Sequence, residues 1–235
     1  MMNPDSVKTV AIIPAAGSGI RMGNERAKQF LSLHGRPILA VTLQFVQDCE
    51  DVDGVILVAP PGDVAYCRKH IVEKFGFTKV EKIVPGGERR QDSVRLGIEA
   101  TEGRYGLVVI HDGVRPVIEK GLLKRVIEAA MTHRAVITAL PAKETVKEVN
   151  EHHEVIKTYE RERVWMVQTP QAFRYEDILN AHQKAVAEDW KEATDDAFLI
   201  ERLGIPVKVV EGSEKNIKVT TPYDMELARF LLQSS

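Results

Sequence analysis

Cysteine is scarce in this chain. There are two in 235 residues, Cys49 and Cys67, and their spacing matches no metal site. They read as reduced, half-buried side chains of a cytosolic protein rather than as a disulfide framework. Charge of one sign is also missing. A net charge of -2 and a pI near 6.4 leave no footprint for nucleic acid or for an anionic membrane surface, so any cationic site must be a local concentration. No apolar run approaches the length of a membrane span, and the first residues lack the apolar stretch of a signal peptide; the expectation is a cytoplasmic protein. Linkers, repeats and low-complexity segments are absent too, which predicts one domain over residues 1–235.

What is present begins with Pro14–Lys28, PAAGSGIRMGNERAK, entered from the strand-like run Val10–Ile13. Gly17, Gly19 and Gly23 allow a tight backbone that a ligand can approach closely. Arg21, Arg26 and Lys28 add positive charge beside it. A concavity of free N–H groups with cations nearby suits a polyphosphate, whereas a plain β-to-α turn does not require three glycines and this much charge. Two common phosphate loops are excluded. The third glycine comes one residue late for the dinucleotide fingerprint, and Ala59-Pro60 stands where its acidic residue belongs. Nor does any G-x-x-x-x-G-K-[ST] occur.

Downstream, strand and helix alternate. The pattern predicts strands at Val7–Ile13, Gly54–Ala59, Lys79–Val84, Gly106–His111 and Ala135–Pro141, with helices at Pro37–Asp48, Val64–Lys74, Asp92–Ala100 and Lys120–Met131. That order implies an α/β fold, a Rossmann-like, mostly parallel sheet flanked by helices. Ligands in such sheets bind at the carboxyl ends of the strands. Pro141–Val164 breaks the pattern. It alternates like a hairpin with a tip near Asn150–His153, yet has little apolar surface to bury, so it is expected to lie on something as an inserted arm. Gln168–Gln171 reads as irregular. Helices at Tyr175–Asp189 and Asp195–Leu203, a strand at Val207–Val210 and a closing helix from Thr221 complete the chain.

Nothing resembles a nucleophile with a partner base. His111-Asp112-Gly113-Val114-Arg115-Pro116 leaves a strand at the ligand edge. Its Asp112 either serves a hard cation such as Mg²⁺ or caps a turn before Gly113. Gly86, Gly87 and Ser93 offer backbone groups and a hydroxyl to a base or ribose, unless Asp92 or Ser93 simply caps the next helix. Glycines, cations and an acid or two fit phosphoryl or nucleotidyl transfer, where catalysis is mostly positioning and charge stabilisation.

The first loop resembles the G-x-G-x-R-M-x(n)-K signature of the sugar-nucleotide pyrophosphorylase and cytidylyltransferase superfamily. With PGGERRQDSV, HDGVRP, PAKETVK, QTPQAF, ATDDA and EGSEKNIKVTTPYD in this order, the chain is most similar to the 2-C-methyl-D-erythritol 4-phosphate cytidylyltransferase family of the non-mevalonate isoprenoid pathway. The resemblance implies a reaction of CTP with that polyol phosphate, assisted by Mg²⁺, that releases pyrophosphate. It places Arg21 and Lys28 at the α-phosphorus. Arg161 and Lys218 fall on the substrate phosphate, and Arg115, Thr145 and Thr194 on further substrate contacts. Pro14, Ala15, Ala16, Gly17 and Gly19, with Asp112 and Gly113, fall around the nucleotide, and Gly86, Gly87 and Ser93 in its base and ribose pocket. Lys215 receives no role. The resemblance also makes the arm a dimerisation element that crosses to a second subunit. Ribitol 5-phosphate cytidylyltransferase shares the CTP half and is the nearest rival. A non-catalytic nucleotide-binding regulator should lack one of the four cations, and none is lacking.

Overall fold

The computed structural model describes residues 7–17, 27–190 and 193–233. Gly19, Arg21, Gly23 and Arg26, all singled out above, lie outside the described residues. The central sheet has seven strands: β1 (Thr9–Pro14), β4 (Gly54–Ala59), β5 (Val80–Pro85), β6 (Leu107–Ile110), β7 (Ala135–Pro141), β10 (Trp165–Arg174) and β11 (Val207–Glu211). Their order is β11-β7-β10-β6-β1-β4-β5, and every pairing is parallel except those of β10. Two short strands, β2 (Ser32–Leu33) and β3 (Arg36–Pro37), form a separate ribbon.

β4 and β6, and β1 beyond Thr9, are apolar at every position because both faces are covered. Ala11, Ile13, Leu57 and Val109 point to one side, where α1 (Ile38–Gln47) and α4 (Leu122–Thr132) deliver Leu39, Leu43, Val126 and Ile127. Val10, Ile12, Ile56, Val58, Val108 and Ile110 point to the other. There α3 (Arg90–Glu99), α5 (Tyr175–Ala187) and α6 (Asp196–Arg202) supply Val94, Ile98, Ile178, Leu199 and Ile200. Gly97 lets α3 lie directly on the sheet, since a Cβ there would stand 2.6 Å from Ile12 and 2.9 Å from Val58. A third cluster joins Leu33, Ile38, Val114 and Val219 to Met225 and Ala228 of α7 (Pro222–Gln233).

Three expectations are revised. Gln168–Gln171 is irregular, as expected, but it lies inside a strand, β10, which runs antiparallel between β6 and β7. The register shifts between Gln168 and Gln171, so Pro170 sits where the ladder is already interrupted and its missing N–H costs little. The helix expected over Val64–Lys74 is α2 (Val64–Cys67) continued by a π-helical turn, Arg68–Glu73. Of the cysteines, Cys49 is half-buried, but Cys67 is fully buried, and burial pushes its thiol up to about 12.

The arm has the expected form. β8 (Lys147–Val149) pairs antiparallel with β9 (Val155–Thr158). Its tip is closed by Asn150, whose side-chain oxygen accepts from the backbone of His152 and Glu154. Both strands are exposed along their length, and the exposed apolar surface continues through Trp165, Met166 and Val167 at the start of β10.

Candidate active site

The carboxyl ends of β1, β4, β5 and β6 open on one edge, and the antiparallel β10 brings Thr169 to the same edge from the opposite direction. Two clefts lie there. The first is lined by Pro14 to Gly17, Lys28, Gln29, Gly87 to Arg90, Ser93, Asp112, Val114 and Lys218. Arg115, Gln168, Thr169, Gln171, Thr194, Asp195 and Phe198 line the second. Arg90, Asp112 and Lys218 belong to both and form the wall between them.

The entry to the glycine loop, Ala15 to Gly17, is held by a buried side chain. Gln29, 1% exposed, donates from Nε2 to the carbonyls of Ala15 at 2.7 Å and Gly17 at 3.2 Å. It belongs to the 3₁₀ turn Lys28–Phe30, so the residue that holds Ala15 and Gly17 is the immediate neighbour of Lys28. The second glycine pair packs against the first loop: a Cβ on Gly86 would collide with Ala16 and stand 2.8 Å from Ser93 Oγ. Ser93 Oγ accepts from the Gly87 N–H at 3.2 Å, and Asp92 accepts from the Arg89 N–H at 3.3 Å and from its guanidinium. The capping alternative therefore holds for Asp92.

Asp112 sits at the centre of the charges. Arg90 Nε donates to Oδ1 at 3.1 Å, Lys218 Nζ lies 2.9 Å from Oδ2, and Arg115 Nε lies 3.8 Å from Oδ2. Burial would raise this carboxyl, but the three cations outweigh it and hold it well below the ordinary carboxylate range. The metal-ligand role expected of Asp112 does not fit this arrangement, because both oxygens are engaged by cations and a further dication would meet their charge. Among the described residues no cluster of three or more His, Cys, Asp or Glu could hold a metal.

Behind Asp112 runs a hydrogen-bond chain. The Asp112 N–H donates to Thr169 Oγ1 at 3.1 Å, and that hydroxyl lies 3.1 Å from His111 Nδ1. His111 Nε2 is 3.3 Å from the Arg115 carbonyl. A carbonyl only accepts, so Nε2 carries the proton and Nδ1 accepts from the threonine. Burial pushes the imidazole down to about 4, in keeping with this neutral tautomer. Arg115 is buried as well; its Nη1 donates to the Asn216 carbonyl at 2.7 Å, while Asn216 Nδ2 donates to the Thr169 carbonyl at 2.7 Å.

The family model described as IspD, 2-C-methyl-D-erythritol 4-phosphate cytidylyltransferase, matches residues 9–234. The chain belongs to the 2-C-methyl-D-erythritol 4-phosphate cytidylyltransferase family. A relative of that name from Pelotomaculum thermopropionicum is 46% identical over 227 residues, covering 97% of this chain and 95% of the relative. One from Desulforamulus reducens is 48% identical over 224 residues, covering 95% of each. The crystal structure of 4-diphosphocytidyl-2C-methyl-D-erythritol synthase from Anaerococcus prevotii superposes with a TM-score of 0.84 at 36% identity, covering 97% of this chain and 99% of that one.

The cytidylyltransferase fold thus gathers most of the residues expected from sequence. Pro14, Ala15, Ala16, Gly17, Lys28, Gly87, Ser93, Asp112 and Lys218 meet in the first cleft. Gly86 and Gly113 lie just behind its lining, against Ala16 and Ala15. Arg115 and Thr194 are in the second cleft. Thr145 and Arg161 line neither; both are exposed on the arm, where Arg161 Nη1 donates to the Lys143 carbonyl at 3.1 Å. Sequence reasoning assigned no role to Gln29, Arg90 or Thr169. A glutamine beside the loop lysine and an arginine inside PGGERRQDSV carry no spacing signal; only burial and contacts across the chain distinguish them.

Proposed function

We propose that this cytidylyltransferase joins CTP to 2-C-methyl-D-erythritol 4-phosphate, giving 4-diphosphocytidyl-2-C-methyl-D-erythritol and pyrophosphate in non-mevalonate isoprenoid precursor synthesis. One observation carries the reading: two clefts share the wall of Arg90, Asp112 and Lys218, with the glycine loop and Lys28 on one side and Arg115 and Thr194 on the other. A triphosphate in the first and a phosphate in the second meet at that wall. The attacking group is a phosphate oxygen, already anionic. It forms a bond to the α-phosphorus as the bond to the β-phosphate oxygen breaks, and no general base is required. The obstacle is two polyanions approaching each other, which fixed cations answer by stabilising charge without reorganising.

In this reading Pro14 to Gly17 and Gly19 hold the triphosphate, and Arg21 and Lys28 stabilise charge at the α-phosphorus. Gly86, Gly87 and Ser93 receive the base and ribose, with Asp112 and Gly113 at their border. Lys218, Arg115 and Thr194 receive the polyol phosphate, joined by Thr145 and Arg161 from a second copy. Mg²⁺ enters as part of the substrate, on the triphosphate oxygens, since Asp112 is engaged by its cations. The exposed apolar surface on the arm, with Ile156 61% and Met166 60% exposed, supports its docking on a partner in a two-fold homodimer. One nucleotidyltransferase domain working in the cytoplasm completes the reading. Product analysis tests it: CTP, Mg²⁺ and the polyol phosphate must give pyrophosphate and the CDP-alcohol in equal amounts, and release of CMP instead would overturn it.

A further inference from the structure

Two neighbouring arginines use their guanidinium groups differently. Arg89 gives both arms to one carboxylate, Nε to Asp92 Oδ2 and Nη2 to Asp92 Oδ1, each at 2.9 Å. This is the ordinary bidentate fork. Arg90 divides its arms between two carboxylates 84 positions apart in the chain (196 − 112). Nε donates to Asp112 Oδ1 at 3.1 Å, and Nη1 to Asp196 Oδ2 at 2.8 Å. Asp112 Oδ2 is thus left to the Lys218 ammonium at 2.9 Å, with Arg115 Nε farther off at 3.8 Å.

Asp196 does not reach either cleft. It is the first residue of α6, its side chain is 2% exposed, and it lines neither cavity. Its second oxygen, Oδ1, faces His182 Nε2 of α5 at 3.4 Å, and the His182 ring is fully buried. A buried carboxylate is costly unless paired, and here the pairing is with an arginine that faces the site.

We propose that Asp196 is a positioning residue: by holding Nη1 of Arg90 from behind, it leaves Asp112 Oδ2 to Lys218 and so fixes the ammonium where the polyol phosphate docks. The proposal rests on the reaction proposed above. Without the Asp196 charge, Arg90 is free to close both arms on Asp112, as Arg89 does on Asp92, and Lys218 loses its partner.

Asp196→Asn keeps the size and removes the charge. Its KM for the polyol phosphate should rise about ten-fold, the scale of one charge-assisted hydrogen bond, while KM for CTP stays within about two-fold. Asp112→Asn should likewise raise KM for the polyol phosphate. The double variant should be no worse than Asp112→Asn alone, because the link runs through Asp112; a merely structural Asp196 would add its own loss. Additive effects, or a CTP KM that moves equally, overturn the proposal. An arm independent of turnover follows the Lys218 ammonium by ¹⁵N NMR, assigned by its loss in Lys218→Ala. It should shift in Asp196→Asn as it does in Asp112→Asn, and an unmoved resonance overturns the proposal. If Asp196→Asn does not fold, Asp196→Glu carries the same NMR test, since its longer side chain displaces the carboxylate. Absence of turnover in the unsubstituted protein would count against the reaction, and the NMR arm then decides the positioning role by itself.

Discussion

Lys218 Nζ lies 2.9 Å from Asp112 Oδ2, on the wall shared by the two clefts. The ammonium is thus placed before any substrate arrives, and its placement depends on a carboxylate that Arg90 and Arg115 also engage. Asp112→Asn should raise KM for the polyol phosphate while leaving the Mg²⁺ concentration for half-maximal rate within about two-fold, because both oxygens of that carboxylate are engaged by cations. Titration of the rate with Mg²⁺ for both proteins checks this. A requirement for much more Mg²⁺ in the variant would restore Asp112 as a metal ligand.

Gln29 gives a second prediction. Gln29→Glu cannot donate to the Ala15 and Gly17 carbonyls and places a charge beneath the loop. CTP affinity, measured by calorimetric titration, should fall roughly ten-fold or more, the scale of leaving buried partners unpaired. Unchanged affinity would mean that the loop holds its shape without this residue.

His111 sets a pH dependence of stability. The folded protein keeps the imidazole neutral down to about 4, against an ordinary value of 6.5. An unfolded chain takes up a proton below 6.5 that the folded chain refuses. Stability is therefore fully present above 6.5 and declines as pH falls toward 4, by roughly 3 kcal/mol from this residue. Asp112 and Asp196, both held low, lose stability in the same direction at lower pH. Urea unfolding between pH 7 and 4 should show a smaller decline for His111→Gln than for the unsubstituted protein; parallel declines would contradict the assignment.

The arm gives a prediction about architecture. Lys28→Ala and Arg161→Ala should each be nearly inactive, Lys28→Ala through kcat by roughly 10² to 10³. Unfolding and refolding the two together mixes subunits. In a mixed dimer, the site with an intact Lys28 receives an arm with an intact Arg161 and is whole. If half the dimers are mixed, about a quarter of normal activity should return. No recovery, with mixed dimers confirmed by differential tagging, would place Arg161 in its own subunit's site.

Much of this was legible in the sequence, for identifiable reasons. β1, β4 and β6 are covered on both faces, so they read as unbroken apolar runs. β10 hid because Gln168, Pro170 and Gln171 fall at its bulge, where polar groups are satisfied by partners far along the chain: Gln171 Nε2 donates to Asp195, and Gln168 to Ser213. In the site, composition and spacing drew attention to Gly17 and Lys28, which line the first cleft. Asp112 was recognisable as important, but its pairing with Arg90 and Lys218, 22 and 106 positions away, was not, because no local pattern encodes those contacts. Arg90 and Asp196 meet across 106 positions, a contact no local pattern encodes.

The most direct measurement is kcat/KM at saturating Mg²⁺ and CTP for 2-C-methyl-D-erythritol 4-phosphate and for ribitol 5-phosphate, with the product identified by ³¹P NMR. A site whose cations and hydroxyl contacts fit the first substrate should favour it by roughly a hundred-fold or more. Its product should show a pyrophosphate diester beside free pyrophosphate. Equal or faster turnover of ribitol 5-phosphate would contradict the account.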